Sequence, residues 1–241
     1  MDVRKGLRKQ LENVNIELFV GNEVNHIPAE IKISLAECYK DVFNASAFED
    51  NFSLQEALIQ VEKGSASTEW KTPLCSLLIE RSSDKVVGFA WGALIYPGFL
   101  NPDDMPFYLS PEEKEEGLAA VRKEFHQKEN IFLFQEFGAS KKFRGGISVF
   151  LVKALFESLN ELGIRRLLYW TSKRSPAFWL GGSLKWEPFF NFEGTNYWLL
   201  EGGVQYSLKL MRGGIKGGIA GAICFMTASR NKKKLREKFR S

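Results

Sequence analysis

The stretch that decides the fold is "IFLFQEFGASKKFRGGISVFLVKALFESLNELGIRRLLYWTS", residues 131–172. Its first part, "IFLFQEFG" (131–138), is apolar at nearly every position, as a strand covered on both faces should be. A glycine turn, "SKKFRGG" (140–146), follows. The next run places Ile147, Phe150, Leu151, Ala154, Leu155, Leu159 and Leu162 on one side of a helix, with Lys153, Glu157, Asn160 and Glu161 opposite. Gly163 is placed to cap that helix, and "IRRLLYWTS" (164–172) is a second strand. Strand, turn, helix, strand is a βαβ unit whose two strands run parallel, which makes the chain an α/β protein with a mixed sheet.

Upstream, "NIELFV" (15–20) is a short strand, and Ile31, Leu35, Cys38, Tyr39 and Phe43 recur at helical spacing. Ser53 and Glu56 form a capping-box pattern that opens a second helix. "LCSLLIER" (74–81) and "KVVGFAWGALI" (85–95), joined by "SSD", are expected to pair as a hairpin. Residues 96–130 then leave the sheet as a Pro/Asp-rich loop and a charged helix starting at Ser110 and Pro111. So long an excursion is a lid or binding loop, or else a tolerated insertion. Downstream, a short helix lies around "SPAFWLGGSLKW", and "PFFNFEG", "NYWLL" and "VQYSLKLM" are strand candidates that complete the body near Met211. The expected organisation is one domain over 1–211, with its insertion at 96–130, and a Gly-rich then basic tail over 212–241.

With 44% hydrophobic, 13% aromatic and 26% charged residues, the 241-residue chain is outside the disordered, fibrous and membrane-spanning classes. Cys38, Cys75 and Cys224 are far apart, and only His26 and His126 accompany them, so neither a metal site nor a Cys–His nucleophile is expected. "MDVRKGLRKQLENVN" lacks the apolar stretch of a secretory signal, which places the protein in the cytoplasm. The net charge of +4 is unevenly spread: residues 212–241 hold nine Lys/Arg against Glu237, so the tail carries +8 and the remainder −4. The uncharged part of the tail, 217–229, is too short to span a bilayer. A docking tail with a solvated basic end is the plainer reading, and a weak contact with an anionic membrane surface or RNA is the alternative.

A glycine turn leading into a helix offers unpaired N–H groups and the positive end of the helix dipole, and here Lys141, Lys142 and Arg144 add three cations. An anionic ligand fits such a turn. A Walker loop would need Lys-Ser/Thr after the second glycine, and a Rossmann turn would need G-x-G-x-x-G; neither is present. Arg144-Gly145-Gly146-Ile147-Ser148 instead resembles motif A of the GCN5-related N-acetyltransferase (GNAT) superfamily, one residue short between the Arg and the second glycine. Arg174-Ser175-Pro176-Ala177 and the terminal Lys185-Trp186 are similar to that family's Asn-x-Pro-Ala helix and its Gly-Phe ending, and the order of elements over 15–211 matches.

The resemblance implies a GNAT-like fold and transfer of an acetyl group from acetyl-CoA to an amine on a small molecule or protein, without a metal. Phe137, Gly138 and Ala139 would face the pantetheine arm. Lys141, Lys142, Phe143, Arg144, Gly145, Gly146, Ile147 and Ser148 would gather at the pyrophosphate, and Arg174 joins the donor-binding set. Keeping a lysine-like acceptor neutral at pH 7 costs about 4.6 kcal/mol, so a base matters; a thiol leaving group needs only about 2 kcal/mol of help. Glu136 is the candidate base, since alternation puts it on one face with Phe132, Phe134 and Gly138 among aromatic rings that would raise its pKa. The competing reading is a Glu136 ion pair with Lys141 or Lys142, and Glu80 and Glu193 are weaker substitutes. The family's acid, a Tyr four residues after the motif's Ala, falls here on Gly181, so Tyr169, Tyr197 or solvent would serve. Phe178, Trp179 and Trp186 read as core at their spacing. The alternative function is a non-catalytic CoA-binding protein, or an RNA- or membrane-associated adaptor working through the tail.

Overall fold

The 131–172 unit folds as its pattern requires: β4 (Ile131–Ala139), a single 3-10 turn at Lys141–Phe143, α5 (Ile147–Glu161) and β5 (Arg166–Ser172). The computed structural model describes residues 11–44, 51–66, 68–105, 109–143, 147–172, 175–193, 195 and 197–212. Around this unit stand β1 (Val14–Val20), β2 (Lys71–Glu80), β3 (Lys85–Ile95), β6 (Glu187–Asn191) and β7 (Tyr197–Gly203). The sheet order is β1-β2-β3-β4-β5-β7-β6, and among the described strands only β4 and β5 pair in parallel. The remaining helices are α1 (Asn22–Asn25), α2 (Ala29–Asn44), α3 (Leu54–Ser65), α4 (Pro111–Glu124), α6 (Pro176–Ser183) and α7 (Val204–Arg212).

Local chemistry fixes the helix ends. In α3 the Glu56 N–H donates to Ser53 Oγ at 3.2 Å while the Ser53 N–H donates to Glu56 Oε2 at 2.8 Å. Ser110 and Glu113 repeat the arrangement at α4, with Pro111 in the first turn. The stop after α5 is Gly163 at φ +76°, where the Ile164 N–H reaches back to the Leu159 carbonyl at 2.9 Å.

The sheet is covered on both sides. On one face α5 and α7 bury Leu151, Leu155, Phe156, Leu208 and Met211 against Leu74, Leu78, Phe132, Phe134 and Leu167. On the other, α2 and α3 bury Leu35, Tyr39, Ala57 and Val61 against Cys75, Leu77, Phe89 and Trp91. The same face carries α4, whose Leu118 and Val121 pack on Ile131, Leu133, Leu168 and Leu199. The described part of the 96–130 excursion is thus a packed layer. Arg166 anchors it, bonding Glu201 at 2.7 Å, Glu129 at 3.0 Å and Glu124 at 3.3 Å with its guanidinium 4.2 Å from the Phe125 ring centre.

One expectation is corrected. "VQYSLKLM" is helical, within α7, and not a strand. Its buried positions are Val204, Ser207, Leu208 and Met211, a spacing of three and four, while Tyr206, which completes the alternating pattern, is 51% exposed.

Candidate functional site

The site is built by strands that part. β4 and β5 pair only through Phe132↔Leu167, Leu133↔Leu168 and Phe134↔Tyr169. Beyond that point β4 continues alongside β3 to Ala139, and β5 continues alongside β7 to Ser172. A gap in the ladder therefore opens between the C-terminal halves of the two central strands, at the end where the Lys141–Phe143 turn precedes α5. The described helix α4 packs over the paired end of these strands, whereas α2 lies along the parting end.

A β-bulge sits where the strands part. Glu136 opposes Trp91 and Phe134 opposes Gly92, so Gln135 is the extra residue in β4. The insertion reverses the facing of everything after it. Phe134 and Phe137 both lie on the α5 face, stacked at 5.4 Å, and Glu136 turns to the α2 face. The expected sharing of one face by Glu136, Phe132 and Phe134 is corrected accordingly, because unbroken alternation does not survive a bulge. Glu136 is half-buried, and Tyr39 Oη of α2 donates to its Oε1 at 3.1 Å.

Gly138 also faces α2. A Cβ built there would lie 2.5 Å from Val42 Cγ1, so the absence of a side chain is what admits the helix. Ala139 is buried on the α5 face beside Gly88. Gln135 Oε1 is buried and has no hydrogen-bond partner among the described residues.

The turn residues divide by role. Phe143 and Ile147 are buried in the core under α5, and Ser148 is half-buried. Lys141 is exposed. Lys142 pairs with Glu80 at 2.5 Å and lies 5.2 Å from the Phe143 ring centre. That pairing and a bond from Ser83 hold the Glu80 carboxyl below its ordinary range, which suits an anion partner and not a base. Arg144, Gly145, Gly146 and Arg174 lie outside the described residues, as does the tail from 213.

Tyr169 occupies the last paired position of β5 and is 4% exposed, enclosed by Phe134 at 5.1 Å and Trp186 at 5.6 Å. Burial pushes its phenol well above the ordinary value; Thr171 opposes the shift through a hydrogen bond and the Glu136 charge adds to it. Phe178 and Trp186 are core, as their spacing suggests, and Trp186 Nε1 donates to Ser207 Oγ at 2.9 Å. The Trp186 ring also accounts for Gly181: a Cβ at that position would lie 2.9 Å from Trp186 Cε3, so the space a tyrosine would need is taken. Glu193 is exposed, and Tyr197 is half-buried on β7. The thiols of Cys38 and Cys75 are both pushed up to about 12, chiefly by burial. No group of three metal-ligating side chains stands together among the described residues.

Sequence reasoning did not find Tyr39 as a site residue. Its spacing marks it as core, and the only signal was a hydroxyl at an otherwise apolar helix position.

No protein-family model matches the sequence, and no curated protein aligns with it. Among solved structures, an acetyltransferase from Thermus thermophilus superposes with a TM-score of 0.51 at 11% identity, covering 78% of this chain and 97% of that one. A bacterial toxin aligns at a TM-score of 0.49 and 12% identity over 83% of this chain and 96% of that one. The PaiA N-acetyltransferase from Thermoplasma acidophilum, in complex with coenzyme A, aligns at 0.45 and 9% identity over 78% of this chain and 99% of that one. The Thermus likeness extends to the architecture, which is a mixed α/β, GNAT-like fold whose central strand–helix–strand unit is the stretch from 131 to 172.

Proposed function

We propose that the chain is an N-acyltransferase that moves an acyl group, acetyl in the simplest case, from acetyl-CoA to an amine. The observation that carries the reading is the parting of β4 and β5 beyond Phe134 and Tyr169. An extended ligand bearing amide groups, as pantetheine does, can lie in such a gap and bond to strand edges. The orphan carbonyl of Gln135 is an acceptor that an amide N–H would satisfy. The diphosphate end would then meet the turn leading to the N-terminus of α5, a fifteen-residue helix preceded by Lys141 and Lys142.

Glu136 is the base in this reading. It stands where the strands part, and it accepts a hydrogen bond from the Tyr39 phenol. The acceptor would approach from the face of α2 and α3, where Glu136 points. The departing thiolate needs about 2 kcal/mol of help at neutral pH. We therefore assign its proton to solvent and not to Tyr169, which is sealed on the α5 face and hard to ionise.

Acetyl-CoA at a hundred times its dissociation constant should stabilise the fold by about 2.7 kcal/mol, which for a chain of this size raises Tm by about 5–10 °C. Gly146→Asp adds a carboxylate one residue before α5 in the sequence and should abolish the rise. An unchanged Tm at millimolar acetyl-CoA would remove the proposal.

A further inference from the structure

We infer that Tyr39, on α2, is the positioning residue for Glu136, so that the helix flanking the gap sets the orientation and charge of the base. The inference rests on the acyltransferase reading of that gap. Its first support is the hydrogen bond itself, from Tyr39 Oη to Glu136 Oε1 at 3.1 Å. The second is the rigidity of the donor. The Tyr39 ring is 2% exposed, lies parallel to Trp91 at 5.5 Å and 4°, and packs on Phe43 at 4.4 Å and Phe89 at 5.7 Å. Such a ring has no room to swing, so its hydroxyl is fixed relative to the helix.

The helix is in turn fixed to β4. Val42 fills the space left by Gly138, and the Ser140 N–H that follows is held on β3, donating to the Val87 carbonyl at 2.8 Å. Two neighbouring contacts, at 136 and 138, therefore hold α2 against the strand end that borders the gap. The bulge at Gln135 is what turns Glu136 to this face; without it the carboxylate would point towards α5 and away from the phenol.

The chemical consequence has a definite sign. A donor hydrogen bond favours the ionised carboxylate, the form that accepts the proton of an incoming ammonium. At 3.1 Å it is longer than the short O–H···O⁻ bonds of strong pairs, so its effect is moderate and leaves basicity in the carboxylate. The Cys38 thiol on the same helix is pushed up to about 12, chiefly by burial. Tyr169 on β5 lies within the influence of the Glu136 charge, which opposes its ionisation, and Lys142 is engaged with Glu80.

Tyr39→Phe keeps the ring stack and removes only the hydroxyl. The test is a pH titration of the full chain labelled with ¹³C at glutamate carboxyls, with the Glu136 resonance assigned by its loss in Glu136→Gln. The expected result is a midpoint moved to higher pH by about half a unit or more in Tyr39→Phe, with acetyl-CoA affinity within about twofold of wild type. An unmoved midpoint overturns the inference. So does a moved midpoint accompanied by loss of acetyl-CoA binding, which would make Tyr39 a support of the fold. If wild type binds no acetyl-CoA, the acyltransferase reading falls, and that result is obtained independently of the titration.

Discussion

At Gln135 a single inserted residue separates two kinds of surface on one strand. Before it, Phe132 and Phe134 bury towards α5; after it, Glu136 and Gly138 face α2. Gly138 makes the packing consequence measurable. With 2.5 Å between a built Cβ and Val42, Gly138→Ala should overpack the α2–β4 contact and cost about 1–3 kcal/mol in denaturant unfolding. Val42→Ala in the same chain should recover most of the loss. Additive losses in the double variant would show that the glycine is required for some other reason.

At the scale of elements, the Glu80–Lys142 pair joins the end of β2 to the turn before α5. The Glu80 carboxyl is held below its unfolded value, first by the Lys142 bond and then by Ser83. A depressed folded value means stability that is present above the unfolded pKa and is lost as pH falls through the folded one. Glu80→Gln should therefore lower Tm at neutral pH, with the gap to wild type closing as the medium is acidified below the ordinary glutamate range. A gap independent of pH would show that the pair contributes packing and not charge.

The elements themselves were largely legible from local chemistry. Ser53/Glu56 and Ser110/Pro111/Glu113 mark helix starts because their side chains satisfy N–H groups that no distant contact supplies. The apolar run 131–138 marks a strand, and β4 is observed there, buried on both faces over residues 131–134 and half-buried at 135–137. Two features were not legible, for the same reason. The bulge falls at Gln135-Glu136, two adjacent polar residues between apolar neighbours, so the sequence does not mark which of them is the extra one, and α7 carries apolar residues compatible with a period of two or of 3.6. In each case the deciding contact is tertiary: Trp91 across from Glu136, and Phe156 and its neighbours beneath Leu208 and Met211. The Tyr39–Glu136 bond spans 97 residues and left only a helical apolar spacing in the sequence.

Across the whole molecule, the two covered faces of the sheet do different work. The α5 and α7 side is a continuous hydrophobic layer that extends from Val14 to Met211 and encloses Tyr169. The opposite side is shared between α2 and α3 at the parting end of the central strands and α4 at the paired end. The division leaves Glu136 half-buried on the side where the helices stand on either end of the sheet. The fold likeness at a TM-score of 0.51 agrees with this architecture, and the chemistry rests on whether a ligand enters the gap. The most direct measurement is electron density from crystals grown with coenzyme A. Pantetheine density is expected between β4 and β5 beyond Phe134 and Tyr169, with the diphosphate near the N-terminus of α5. Coenzyme A bound elsewhere, or absent from the gap at millimolar concentration, would contradict it.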